Sequence, residues 1–509
     1  MPGLPEKAEA RRSQGAALFA RGLYVAAAAA FEEWLEIVEP SGHPNLILPP
    51  LNALASVALQ RNEYERVLAW LDRALPYADD PRADPLHVAK MRVNRLAALV
   101  WCARDDEVEA EGQEALAAAE RAGVPYLAGR ALLNLSSFRA LTGDWIRMRH
   151  EARTALTHLD PQDDEALLLA YLNLGIAHLE LGALRLAERD LRASLRRTQR
   201  ITARTGYVHT ELGRLARLRG DYAEALASGS RALAHFLEDV AVVDKAEVAR
   251  VSELFGDLFA ASGDRNLALK YLNRSAAYYS QLGHSAGWQR VMTRIGEVLP
   301  LRGRALVAPL PAHVVQPLSL LTAVLDLTDD IECVDPHLRG HSERVAQLAG
   351  VVGRAAGLAP DALRTLLLAA RLHDVGKVAI DVEILRKAGP LTEQEWERVR
   401  LHPAIGAEML RAYDLDPAGL EAIRHHHEHW DGSGYPAGLR GEAIPLLARI
   451  LAVADVYDAL TSDRAYRPAH RHEEALRLME EMAGRELDPD LVDLFLGLHR
   501  FSSTGGEWR

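Results

Sequence analysis

A chain of 509 residues exceeds the size at which a single hydrophobic core keeps growing, so two or more domains are expected. Hydrophobic residues at 49% and charged residues at 26% lie in the ordinary globular range, which excludes long disordered tracts. A net charge of -12 excludes DNA as the main partner, and two cysteines, Cys102 and Cys333, exclude a disulfide framework and fit a reducing cytoplasm.

The amino-terminal stretch "EKAEARRSQGAALFARGLYVAAAAAF" imitates a signal peptide, but Arg21 interrupts its apolar run and Phe31-Glu32-Glu33-Trp34 continues as an amphipathic helix. No apolar stretch reaches the ~20 residues of a membrane-spanning helix. A cytoplasmic location with no membrane insertion is therefore expected. From there to about residue 299 the chain repeats one theme, an apolar helix, a short polar turn and a second helix rich in alanine and leucine, as in "RGDYAEALASGSRAL". Turns anchored at Gly22, Asn62, Arg104, Gly143, Gly182, Gly220 and Gly263 recur in steps of 38 to 43 residues, a period that signals a solenoid. Five residues beyond the anchors stand Ala27, Val67, Met148, Ala187, Ala225 and Ala268, with Glu109 as the exception. Small or apolar residues at those positions let neighbouring helices stack closely. Residues 1–299 resemble tetratricopeptide-type repeats with lengthened linkers, which implies a regulatory module that receives a protein or peptide partner or pairs two copies of the chain.

Pro300, Pro309, Pro311 and Pro317 make continuous helix untenable, so residues 300–317 are predicted to be a linker. A second helical domain is predicted over residues 318–499, followed by a tail over 500–509. The fold class is all-α throughout.

In that second domain His341 begins one predicted helix, and His373 with Asp374 ends another. His402 precedes Pro403, a residue suited to a first helical turn. Asp455 and Asp458 interrupt an otherwise apolar helix, and "HHHEHWDGSGYP" crowds four histidines into residues 425 to 429. A lone histidine is usually a hydrogen-bonded structural residue, whereas a buried carboxylate demands a compensating cation. Taken together these are nitrogen and oxygen donors on several helices, a set suited to iron, manganese or zinc. Two ions sharing one carboxylate fit phosphoester hydrolysis.

The order H…HD…H…HH…D with "HDVGK" and "DGSGYPAGLRG" resembles the HD-GYP family, bacterial metal phosphohydrolases of cyclic di-GMP. The resemblance covers residues 318–499 and implies an HD-type helical bundle. It implies that His341, His373, Asp374 and Asp455 hold one metal and that Asp374 bridges to a second held by His402, His426 and His427. The ions would be iron, manganese or another divalent metal, with no organic cofactor. Lys377, on the face of His373 and Asp374 if their helix continues, would stand near the reacting phosphate, and Arg464 and Arg467 would grip substrate phosphates. Asp458 would orient a ligand or the lysine, while Asp431, Gly434, Tyr435 and Pro436 would shape the mouth of the site. His337 stands four positions before His341, where some relatives place a ligand of a third metal. His425 and His429 receive no role. The implied reaction is hydrolysis of the 3'-5' phosphodiester of cyclic di-GMP to linear pGpG through a metal-bridged hydroxide, with a second cut to GMP left open by the sequence. The rival readings are a catalytically idle cyclic-dinucleotide sensor or interaction scaffold, and a phosphodiesterase for a different cyclic dinucleotide. The five residues from His425 to His429 also satisfy the H-x-x-E-H pattern of a zinc protease group, which leaves His341, His373, Asp374 and Asp455 without a purpose.

Overall fold

The structure is a computed structural model; it describes residues 5–61, 63–102, 104–198, 204–238, 245–299, 310, 312–334, 340–387, 389–413, 415–462 and 469–499. Among the described residues every named element is a helix, and the one β feature is an isolated bridge between Ala483 and Leu487. The chain divides into two compact units.

The first unit comprises Met1–Glu9, Phe31–Phe236 and Val243–Leu318. Helix pairs follow one another along it: Pro44–Gln60 with Tyr64–Ala78, Pro85–Trp101 with Asp105–Arg121, and Pro125–Thr142 with Trp145–Leu156. Asp164–Glu180 with Leu184–Arg197, Thr205–Leu218 with Tyr222–Glu238, and Lys245–Ala261 with Arg265–Gln281 continue the series. Local chemistry explains the turns. Gly143, Gly220 and Gly263 take positive φ values of 85°, 79° and 82°, which ends the first helix of each pair without a Cβ penalty. The aspartate that follows then caps the second helix, as Asp144, Asp221 and Asp264 each accept from a backbone N–H three residues on at 3.0 Å. The stacking positions read from the sequence are fully buried at Ala27, Val67, Met148, Ala187, Ala225 and Ala268. The exceptional Glu109 instead bonds Arg139, and its neighbour Val108 is the buried residue of that pair.

This unit also buries charge. Arg250, 2% exposed, donates to Glu211 at 2.8 Å, and Arg214 bridges Glu211 and Glu180 at 2.7 Å each. Arg290 donates to Glu253 at 2.6 Å, and the Tyr279 hydroxyl donates to the same carboxylate at 3.1 Å. Each buried charge thus has an opposite partner, the condition on which such burial is tolerated.

The second unit comprises Ala10–Ala30, Leu237–Val242 and Ser319–Arg509. Its core is built from Val345, Ala349 and Val352, from Leu366 and Ala370, from Ile450, Val453 and Tyr457, and from Val492 and Phe495. Residues 1–299 were expected to form the repeats as one block, yet residues 10–30 group with the carboxyl-terminal unit. Val25 packs on that core, and Arg21 donates to the Leu498 carbonyl at 2.9 Å.

Candidate metal centre

Five chain segments bring the expected donors together. His341 opens the helix His341–Ala355, and Asp455 and Asp458 lie one turn apart in Leu446–Thr461. His402 opens His402–Leu410 with Pro403 in its first turn. His426 and His427 follow directly on the end of Pro417–His425. His373 and Asp374 follow Pro360–Leu372, where the chain tightens into the 3-10 turn Val375–Ala379. The α-helix does not continue to Lys377, the condition on which it was placed on the face of His373 and Asp374, but the tighter turn still sets the Lys377 Nζ 2.6 Å from Asp374 Oδ2. Gly376 makes this turn feasible, since a Cβ there would stand 2.0 Å from the His402 carbonyl oxygen. The glycine of "HDVGK" thus lets two backbones that carry donors approach each other.

Each buried imidazole is aimed by its second nitrogen. His373 Nδ1 donates to the Ala370 carbonyl at 2.9 Å, His402 Nδ1 to Val399 at 2.7 Å and His426 Nδ1 to Ile423 at 2.6 Å. These bonds place the proton on Nδ1 and leave Nε2 as a lone pair. The Nε2 atoms of His373, His402 and His426 are buried with no hydrogen-bond partner, as is Asp374 Oδ1. Orphaned buried polar atoms are costly, and cations bound among them would satisfy all four. His341 is tethered differently, with Nδ1 donating to Asp458 Oδ2 at 2.7 Å. Asp458 is in turn held by Arg344 at 2.7 and 3.0 Å.

The donors fall into overlapping groups whose ligand atoms lie within 4.8 Å of one another: His341, His373 and Asp455; His373, Asp374 and His426; and His402, His426 and His427. The two oxygens of Asp374 face different groups. Oδ1 lies 3.3 Å from His402 Nε2, whereas Oδ2 lies 3.6 Å from His373 Nε2 and 3.8 Å from His341 Nε2. Burial alone would raise the Asp374 carboxyl, but Lys377 and the imidazoles around it hold it well below the usual carboxylate range. Burial, reinforced by neighbouring imidazoles, pushes His427 down to about 3 and His426 well below its ordinary value. Neutral imidazoles and an ionised carboxylate are the forms that ligate, and these shifts favour those forms at His426, His427 and Asp374. The donor set therefore fits a divalent metal.

The loop after His427 closes the site. Its Tyr435–Pro436 bond is cis, and the Tyr435 ring lies 5.0 Å from that of His427. Gly434 is required because a Cβ would stand 2.2 Å from the His429 nitrogen. Asp431 Oδ1 accepts from the Ser433 N–H at 2.9 Å, a turn-stabilising bond. His425 faces Glu421 and Glu428, and His429 faces Ser433, so the protease-like pattern brings no common centre from these two. Arg464, Arg467 and His337 lie outside the described residues. Sequence reasoning missed Arg344, Gly376 and Glu428; Arg344 was findable as the residue one turn after His341 on the same face.

A profile of the HD domain matches residues 327–491. Over 33% of the chain it is 46% identical to cyclic di-GMP phosphodiesterase response regulator RpfG of Xanthomonas campestris, covering 44% of that protein. It is 45% identical over 28% of its length to a cyclic di-GMP phosphodiesterase of Vibrio cholerae, covering 30% of that relative. It is also 39% identical over 31% of its length to 3'3'-cGAMP-specific phosphodiesterase 3 of Vibrio cholerae, covering 35% of it. The chain thus spans less than half the length of these relatives. The carboxyl-terminal part of the chain is thus similar to the HD domain and to proteins named as cyclic-dinucleotide phosphodiesterases.

Proposed function

We propose that this chain is a metal-dependent phosphodiesterase of cyclic di-GMP, cutting its 3'-5' phosphodiester to linear pGpG, with or without a second cut to GMP. The observation that carries the reading is the convergence of unpartnered imidazole Nε2 atoms on a carboxylate whose two oxygens face two groups of donors. In this reading His341, His373, Asp374 and Asp455 hold one iron or manganese ion, and Asp374, His402, His426 and His427 hold a second. Bound there, two such cations supply an acidified water and electrostatic relief for the phosphoryl group. The chain's own residues do the rest. Asp458, fixed by Arg344, keeps the His341 proton on Nδ1, and the carbonyl tethers do the same for His373, His402 and His426. Lys377, largely buried beside Asp374, brings a positive charge to the edge where charge grows on the phosphoryl oxygens. Arg464 and Arg467 are the proposed grips on the outer phosphate oxygens. The helical repeats are proposed to dock a protein or peptide regulator.

The test pairs metal analysis with turnover of cyclic di-GMP by the wild-type chain and Asp374→Ala. The variant is expected to lose at least one metal and about 100-fold or more in kcat. Full metal loading with retained turnover would remove Asp374 from the bridge. A second substrate, 3'3'-cGAMP, belongs in the same assay because relatives named for that activity are also similar to about a third of the chain. Metals bound with no cleavage of either nucleotide would favour a sensor.

A further inference from the structure

Glu428 is a charged side chain that the metal centre does not use, yet its side chain is 0% exposed. Oε1 accepts from the Ala437 N–H at 2.7 Å, and Oε2 accepts from the Leu439 N–H at 3.0 Å. His425 Nδ1 lies 3.3 Å from Oε1. Both oxygens of a buried carboxylate are therefore spent on the returning limb of the loop, in charge-assisted bonds stronger than neutral ones. The outgoing limb is tied at the adjacent residue, since the Tyr435 N–H donates to the His427 carbonyl at 3.1 Å. Two consecutive residues, one of them a candidate ligand, thus hold the loop from opposite sides. Just before these ties Gly434 packs against the 427–429 backbone so closely that a Cβ would not fit, and the Tyr435 ring lies 5.0 Å from the imidazole of His427. A plain loop staple would serve anywhere on the surface. This one grips the segment whose aromatic residue walls the donors.

We propose that Glu428 is a positioning residue, whose carboxylate fixes residues 434–439 so that Tyr435 stands against His427 as the wall on which a cyclic dinucleotide is seated. The assignment rests on the phosphodiesterase reading, and Glu428 itself touches neither substrate nor metal. Glu428→Ala frees both N–H groups. Glu428→Gln retains one acceptor oxygen and is expected to rescue part of the effect.

Both variants are tested as the full, metal-loaded chain by hydrogen exchange of residues 434–440, metal content and steady-state kinetics. The expected result for Glu428→Ala is exchange about tenfold faster or more in that segment, KM raised roughly tenfold with a smaller fall in kcat, and metal content unchanged. Glu428→Gln is expected between the two, and it carries the same readouts if the alanine variant fails to fold. Unchanged exchange overturns the proposal, as does a released loop with KM and kcat within about twofold of wild type. Metal lost in step with activity also overturns it, because Glu428 would then act on ligation. A wild-type chain that cleaves no cyclic dinucleotide sinks the phosphodiesterase reading instead, and is told apart by the wild-type assay alone.

Discussion

Asp458 stands one turn beyond Asp455 and contributes no ligand atom to the donor groups, yet it decides which nitrogen of His341 is free. With its pKa held below the ordinary carboxylate range despite burial, by His341 and Arg344, it remains an anion that accepts from Nδ1–H. Asp458→Asn keeps the shape and removes the charge, so the amide can present N–H to the imidazole and favour the wrong tautomer. Metal affinity is expected to fall about 10- to 100-fold, read by competition with a chelator of known affinity. An affinity within twofold would show the tether to be idle. The donors themselves were legible because histidine and aspartate are scarce on apolar helix faces, where each needs a reason to be present. Spacing alone could place Arg344 on the face of His341, but neither its carboxylate partner nor the role of Glu428 was legible. Their partners are two backbone N–H groups and one carboxylate, and composition carries no trace of either geometry.

Periodicity locates helices better than it locates their ends. The pattern through "LLLAARLHDVGKVAI" allows an α-helix to continue past Asp374, whereas the backbone tightens after Leu372 to bring Gly376 beneath His402. The deciding contact is between elements far apart in sequence, so no local rule could supply it. A similar long-range pairing occurs where the helix His472–Met482 begins and Pro489–His499 ends. The rings of His472 and His499 lie 5.2 Å apart, with the Tyr457 hydroxyl 2.7 Å from His472 Nδ1. Burial, and for His472 the nearby His499, pushes His472 down to about 3; burial pushes His499 down to about 4. An unfolded histidine titrates near ~6.5, so the folded state binds fewer protons below that pH. Their contribution to stability is complete above ~6.5 and is lost as pH falls toward 4 and then 3, by up to ~1.4 kcal/mol per group per pH unit. His499→Phe keeps an aromatic ring and removes one titrating group. The drop in urea midpoint between pH 7 and pH 4.5, measured with chelator present, is expected to shrink in the variant. Equal drops would show that His499 is not buried in its neutral form.

At the scale of the molecule, the repeats were readable from spacing because stacking restricts the same position in six of the seven pairs to a small or apolar residue, Glu109 being the exception. The boundary was less readable, since residues 10–30 have repeat-like composition and only tertiary contact assigns them to the second unit. Cohesion of the first unit rests on its buried charges as well as its apolar seams. Arg250→Met strands part of the charge on Glu211, which keeps Arg214 as its other partner. The expected cost is ~3 kcal/mol, seen as a lowered urea midpoint of the full chain, with Glu211→Gln in the same background recovering part of it. A change under ~0.5 kcal/mol would show the pair to be replaceable. No helix among the described residues is long and apolar enough to cross a membrane. The carbonyl tethers of His373, His402 and His426 reach back three residues each, so every one of these rings takes its aim from the final curl of backbone before it. Fraying any of those curls would swing a lone pair out of register, which makes the grip on cations a gauge of whether the surrounding helices are wound to their last turn.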